Sequence, residues 1–239
     1  MKIIGEKFDT EENILKLVGK STPITDSELT FKYFTEVADW MRVSGKINNT
    51  EFSINYSSLV FDTSIFIQFF AELINLKNEI AIFLDNEGSY PLLYAKKTDK
   101  DTIRFIFAHD YILYKNEEEY EDCLSYKVEF DILISKKKLL GEFYTILYPF
   151  LKDYDLNYAN FLGFKLNKAN KYLDKIKAYV DKNMSLEEKK IIKERIDEYF
   201  KMGLSDYVKE LIKPENLIEP FDSTEEMMKN LCDEDEDED

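Results

Sequence analysis

The sequence predicts an α+β fold: antiparallel sheet packed with two amphipathic helices, then an all-helical C-terminal appendage and a disordered acidic tail. Three observations predict it. Apolar residues alternate at period two in several runs between Leu29 and Ile134, two segments, one within that stretch and one just after it, carry helical spacing instead, and the period-two signal stops after Asp153. Strands and helices come in blocks, without the alternating β and α of a parallel crossover sheet. Hydrophobic residues make up 44% of the 239, and the 18 Phe and 16 Tyr are ample to build a core.

Taken in order, residues 1–27 mix charges with turn formers, and Ser21-Thr22-Pro23 breaks any helix begun near Thr10. Leu29, Phe31 and Tyr33 alternate with polar neighbours. After Trp40-Met41-Arg42-Val43, the turn-like Ser44-Gly45-Lys46 and Asn48-Asn49 lead to Phe52, Ile54 and Tyr56, which predicts an antiparallel meander. Asp62-Thr63-Ser64 offers an N-cap for a helix bearing Ile65, Phe66, Phe69, Phe70, Leu73 and Leu76. Ile80 to Leu84, Leu92 to Ala95 and Thr102 to Ala108 follow as three short strands, divided by Asn86-Glu87-Gly88-Ser89 and Thr98-Asp99-Lys100-Asp101. An acidic loop over 117–122 then gives way to the alternating Tyr126, Val128, Phe130, Ile132 and Ile134. Past Lys136-Lys137-Lys138, the residues Leu139, Leu140, Phe143, Ile146 and Leu147 fit a helix that Pro149 stops or kinks.

From Leu156 to Val180 the spacing predicts one long helix. Ser185-Leu186-Glu187-Glu188 is a capping box opening a second helix that Gly203 ends. Shorter helices are expected over Asp206 to Ile212 and after Ser223. The expected domains are a sheet-containing domain over 1–152 that folds alone, a helical appendage over 153–232, and a disordered acidic tail over 233–239.

Net charge is −16, distributed as −7 over residues 1–152, −2 over 153–232 and −7 over 233–239. Such a balance repels nucleic-acid phosphates and anionic membrane surfaces, and it points to a basic protein partner. Only two cysteines, Cys123 and Cys232, are present, and no stretch reaches the ~18 apolar residues of a membrane span, so the expected location is the cytoplasm.

No catalytic, cofactor-binding or metal-ligating constellation is legible. His109, beside Asp110, lacks a Ser elbow, paired Cys or Gly-rich loop around it, and Cys123 has no local histidine. Asp85, Glu87, Asp99 and Asp101 sit in hairpin turns without the glycine placement of a calcium loop. An enzyme of unfamiliar type would need a pocket around His109 or these aspartates. The candidate partner-binding residues are instead the acids Glu117, Glu118, Glu119, Glu121 and Asp122, the aromatics Tyr111 and Tyr114, and the turn acids Asp85 and Glu87. Trp40 and Tyr90 are further aromatic anchors, because Trp and Tyr dominate binding hot spots.

The strand through Val37 to Val43 with Trp40, the F-x-x-F-F-x-x-L helix from Phe66, the strand and turn Ile80-Ala81-Ile82-Phe83-Leu84-Asp85-Asn86-Glu87-Gly88, and Phe130-Asp131-Ile132 before the last helix carry a resemblance over residues 29–151. In that order they resemble the small acidic immunity proteins encoded beside bacterial polymorphic or contact-dependent toxins. The resemblance implies a non-enzymatic inhibitor that binds a toxin through an acidic, preformed surface. Charge alone equally fits a nucleic-acid mimic from a phage or mobile element, with the acidic loop and tail as its phosphate track.

Overall fold

The computed structural model describes residues 1–25, 27–37, 40–116, 119–157 and 166–202. It shows an α+β protein with two sheets. The chain divides into two compact units, Met1–Glu198 and Tyr199–Asp239. Of the second, the described residues are 199–202, in a helix, where the Tyr199 and Phe200 rings stand perpendicular with centroids 6.3 Å apart. Gly203, the helices expected after it and the acidic tail lie outside the described residues.

In the first unit, β1 (Lys2–Ile4) precedes α1 (Glu11–Lys20). Thr10 caps α1 by accepting Asn13 N–H, and the helix stops before Pro23, as its sequence predicts. The meander follows as β2 (Leu29–Val37), β3 (Trp40–Ile47) and β4 (Thr50–Ser57). Asn48, in the left-handed region at φ 53°, turns β3 into β4. Gly45 is not a turn residue: it lies inside β3, where a Cβ would stand 2.6 Å from both Thr30 O and the Phe52 ring. The stretch from Val37 to Val43 is likewise not one strand, since β2 ends at Val37 and β3 returns from Trp40 paired with it.

Asp62 caps α2 (Thr63–Leu73) through Ser64 N–H. Then come β5 (Glu79–Phe83), β6 (Leu92–Lys97), β7 (Thr102–Asn116) and β8 (Glu119–Ser135). These four join β1 in a five-stranded sheet of order β1-β5-β6-β7-β8. Every pair is antiparallel except β1 on β5, which is parallel. Glu119, Glu121 and Asp122 therefore belong to a strand rather than to a loop. Cross-strand pairing out to Asn116↔Glu119 extends the hairpin well beyond its apolar part.

Helix α3 (Lys136–Asn157) runs through Pro149 without stopping, because Ile146, Leu147, Phe150 and Leu151 on either side are anchored in the core. Its three leading lysines oppose the positive end of the helix, and two are given partners. Lys136 Nζ donates to the α2 carbonyl of Ile74, and Lys137 pairs with Glu188 at 2.7 Å. Leu156 lies in α3, and α4 (Leu166–Asn183) covers the later part of the stretch where one long helix is expected; residues 158–165 between them lie outside the described residues. The Ser185 capping box opens α5 (Leu186–Met202): Ser185 N–H donates to Glu188 Oε2, and Glu188 N–H to Ser185 Oγ.

One face of the five-stranded sheet, the inner face of the meander and helices α2 to α5 share a single core. Phenylalanines dominate it: Phe70 stacks on Phe143 at 3.6 Å and Phe34 on Phe150 at 4.2 Å. Ala169, Leu173, Ile176 and Val180 of α4, with Ile192 and Ile196 of α5, are buried in that core. The first unit thus continues to Glu198, past the boundary expected near residue 152, because an apolar helical face offers no sign in sequence of which surface it covers. Arg195 strengthens the union. It pairs with Glu142 at 2.8 Å and donates to Phe31 O, while Glu142 accepts Phe31 N–H, so the free edge of β2 is closed by side chains of α3 and α5.

On the opposite face of the larger sheet, Ile14 and Val18 of α1 cover Ala81, Phe83, Leu92, Tyr94 and Ile106. Arg104 fastens this helix. Its guanidinium engages both oxygens of Asp131, at 2.6 Å for the shortest contact, and donates to the carbonyls of Val18 and Ser21 at the end of α1. Ser21 Oγ also donates to Asp131.

Burial raises the hydroxyl pKa of Tyr94 and Tyr126, and pushes Tyr144 up to about 12. A phenol raised in the fold leaves stability intact below its ordinary value of 10.0. Above that value the unfolded chain releases a proton the folded chain retains, so stability falls as pH climbs. Absorbance at 295 nm is expected to show these three tyrosines ionising only together with unfolding. Full reversible ionisation of all tyrosines by about pH 11, with the fold intact, would contradict their burial.

Candidate functional site

Beyond Ala108, the last β7 residue paired with β6, strands β7 and β8 continue as a two-stranded ribbon. The eight residues from His109 to Asn116 give it a reach of roughly 26 Å. Tyr111 stands opposite Ser125 and Tyr114 opposite Tyr120 in its register, and Glu119, Glu121 and Asp122 lie on its return strand. Glu117 and Glu118 fall outside the described residues. Five of the nine sequence candidates thus share one element.

Asp85 and Glu87 occupy the β5–β6 hairpin. Asn86 and Ser89 exchange backbone hydrogen bonds, and the two residues between them, Glu87 at φ 56° and Gly88 at φ 107°, adopt the left-handed conformations of a primed turn. A glutamate there costs about 1 kcal/mol relative to glycine. Its side chain has a specific partner: Glu87 accepts Ser57 Oγ–H at 2.8 Å, while its own N–H donates to Asp85 Oδ1 at 3.1 Å.

Ser57 is the hub. Its N–H donates to Asp85 O, its Oγ donates to Glu87, and that same Oγ accepts Leu59 N–H. In the β3–β4 register it lies opposite Trp40. Around this buried serine stand three large side chains that remain in solvent: Trp40 at 41% exposure, Leu59 at 59% and Val60 at 53%. Strand parity carries the signal for Trp40, since Met41 and Val43 are buried while Trp40 and Arg42, which alternate with them, are exposed. Leu59 and Val60 could have been flagged as an apolar pair between the end of a strand and a helix cap.

Topology brings the hairpin and ribbon to the same end of the large sheet. Tyr90 N–H donates to Asp110 Oδ2 at 2.6 Å, tying the hairpin's exit to the ribbon's base. Asp110 faces Tyr126 in register, and the Tyr126 hydroxyl, Asp110 Oδ1 and Asp9 Oδ2 are buried there without a hydrogen-bond partner among the described residues. Tyr90 itself is half-buried and stacks on Phe8 at 3.9 Å, so it is packing rather than an exposed anchor. His109 is half-buried with its ring edge-on to Phe107 at 4.6 Å, a strand residue in an aromatic setting. Cys123 lies on the ribbon's return strand.

At the other end of β6, the turn at Asp99 is built from its own backbone: Asp99 Oδ1 accepts the N–H groups of Asp101 and Thr102, which hold its carboxyl below the usual range. The two aspartate turns lie at opposite ends of the six-residue β6, roughly 20 Å apart, and do not converge on one ion. That far end also carries Lys96, Lys97 and Lys100, with Lys136, Lys137 and Lys138 beside it through the Lys136 N–H to Asp101 O hydrogen bond. The two ends therefore differ in balance: Asp85, Glu87 and Asp110 stand at one, and at the other Asp99 and Asp101 are outnumbered by six lysines.

Comparison of the chain with protein-family models, with curated proteins and with solved structures finds no match. The fold defines an α+β protein whose five-stranded sheet carries Asp85, Glu87 and Asp110 at one end. Among the described residues, no helix is long and apolar enough to cross a membrane.

Proposed function

We propose that this is a non-enzymatic binding protein of the immunity type, which neutralises a basic toxin or effector in the cytoplasm by docking its acidic end on it. The observation that carries this reading is the difference in charge balance between the ends of the sheet. Asp85, Glu87 and Asp110 meet at the end from which the ribbon with Glu119, Glu121 and Asp122 extends, opposite the lysine-bearing end. A molecule so polarised turns its acidic end toward a basic partner during approach, which raises the association rate and fixes orientation. Exposed aromatic and aliphatic side chains beside the acids supply the anchors that long-range charge lacks.

The test is co-expression of the chain with the product of its neighbouring gene, followed by association kinetics of the purified pair. Growth protection is expected, with an on-rate that falls about tenfold between low and high salt. The charge-reversed triple variant Glu119→Lys, Glu121→Lys, Asp122→Lys should associate slowly at every salt concentration where the wild type is fast. Equal rates for the two proteins would overturn the acidic end as the docking surface.

A further inference from the structure

Large apolar residues left singly in solvent are ordinary, but three joined around one serine make a patch. Trp40 lies across the β3–β4 register from Ser57, Leu59 N–H is held by Ser57 Oγ, and Val60 is next in the chain. The same hydroxyl donates to the Glu87 carboxylate, and Asp85 holds the Ser57 N–H through its carbonyl. The apolar side chains and the two acids are thus fixed to each other through one buried residue. The neighbouring outward residue of β3, Arg42, donates to Asn55 Oδ1 at 3.1 Å. Glu87 holds a left-handed backbone that glycine or asparagine would adopt with less strain, and what glutamate adds there is a carboxylate bonded to the serine that stands opposite Trp40 in register.

We propose that Trp40, Leu59 and Val60, rimmed by Asp85 and Glu87, form the anchor pocket for a lysine- or arginine-bearing apolar segment of the partner. The inference rests on the function proposed above and names where its contact energy is concentrated. The apolar part of the segment covers Leu59 and Val60, and its cation lies against the Trp40 ring with the acids alongside, an arrangement that joins cation–π attraction to charge pairing. Charge complementarity selects this occupant: the rim is acidic, it lies at the acidic end, and the whole chain carries −16.

The chain has one tryptophan among 16 tyrosines, so its emission, excited at wavelengths the tyrosines do not absorb, reports on this patch alone. The experiment titrates the full chain with a twelve-residue peptide of alternating Lys and Leu, with Glu-Leu and Lys-Ser peptides as controls. The Lys-Leu peptide is expected to shift the emission to the blue, and both controls to leave it in place. Leu59→Ser with Val60→Ser should weaken binding about tenfold while Trp40 still reports. Glu87→Gln, which retains an acceptor for Ser57, should weaken it severalfold at low salt and not at high salt.

Variants that bind like the wild type overturn the inference, as does a Glu-Leu peptide that binds as well. So does an emission already blue and dependent on protein concentration without peptide, which would assign the patch to a second copy of this chain. Binding of the Lys-Leu peptide that leaves Trp40 unmoved and is lost in the ribbon charge-reversal variant removes this pocket but leaves the proposed function standing. Failure of every basic peptide to bind overturns the pocket and counts against the function reading as well.

Discussion

A chain ending at Lys152 is expected to lose its cooperative unfolding transition, whereas one ending at Met202 retains it. The cut removes Leu173, Ile176 and Val180 of α4 and Ile192 and Ile196 of α5 from the core. At ~1.5–3 kcal/mol for each buried side chain, the loss is on the order of 10 kcal/mol, comparable with the whole stability of a typical domain. The faces of α2 and α3 that these residues cover would become solvent-exposed, and Glu142 would lose Arg195. Circular dichroism melting of the two chains decides the matter. A sharp transition in the 1–152 chain near that of the longer one would mean that the sheets and first three helices suffice, as the sequence alone suggests.

Asp131→Ala is expected to be the most damaging of the polar substitutions, at about 3–5 kcal/mol. The carboxylate is 4% exposed and pairs with Arg104, whose guanidinium it holds more firmly protonated than usual. Removing it leaves a largely buried cation facing two carbonyls and a hydroxyl. The damage should be local in a diagnostic way. Arg104 and Ser21 connect the end of α1 to the sheet, so hydrogen exchange should accelerate in α1 before it does in α2 or α3. A urea midpoint unchanged from wild type, or exchange rising evenly across the protein, would show that α1 is held by Ile14 and Val18 alone.

Features set by neighbouring residues were legible in the sequence. The Asp62 cap, the Ser185 capping box, the Asn48 turn and the apolar face of α2 each depend on side chains a few positions apart. Features set by distant pairing were not. A three-residue strand such as β1 is too short to show a period, and its parallel partner lies 78 residues on, from Lys2 to Ile80. The acidic 119–122 stretch has the composition of a loop, yet cross-strand pairing with β7 makes it strand. Of the candidate surface, Asp85 and Glu87 were readable as turn residues and Trp40 as an aromatic anchor. The meeting of all three at Ser57 needs the β3–β4 register and the return of β5 beside it, and neither is written in local spacing.

The position of the first strand and helix fixes an order of events on the ribosome. Residues 2–4 pair with a strand ending at Phe83, α1 rests on a sheet completed only by β8, and Ile24 bridges Ile132. The opening two dozen residues are therefore made well before they can be housed: Lys2 waits 78 residues for Ile80 and Ile24 waits 108 for Ile132, while the 29–57 meander, whose partners are near neighbours, can pair as soon as it emerges.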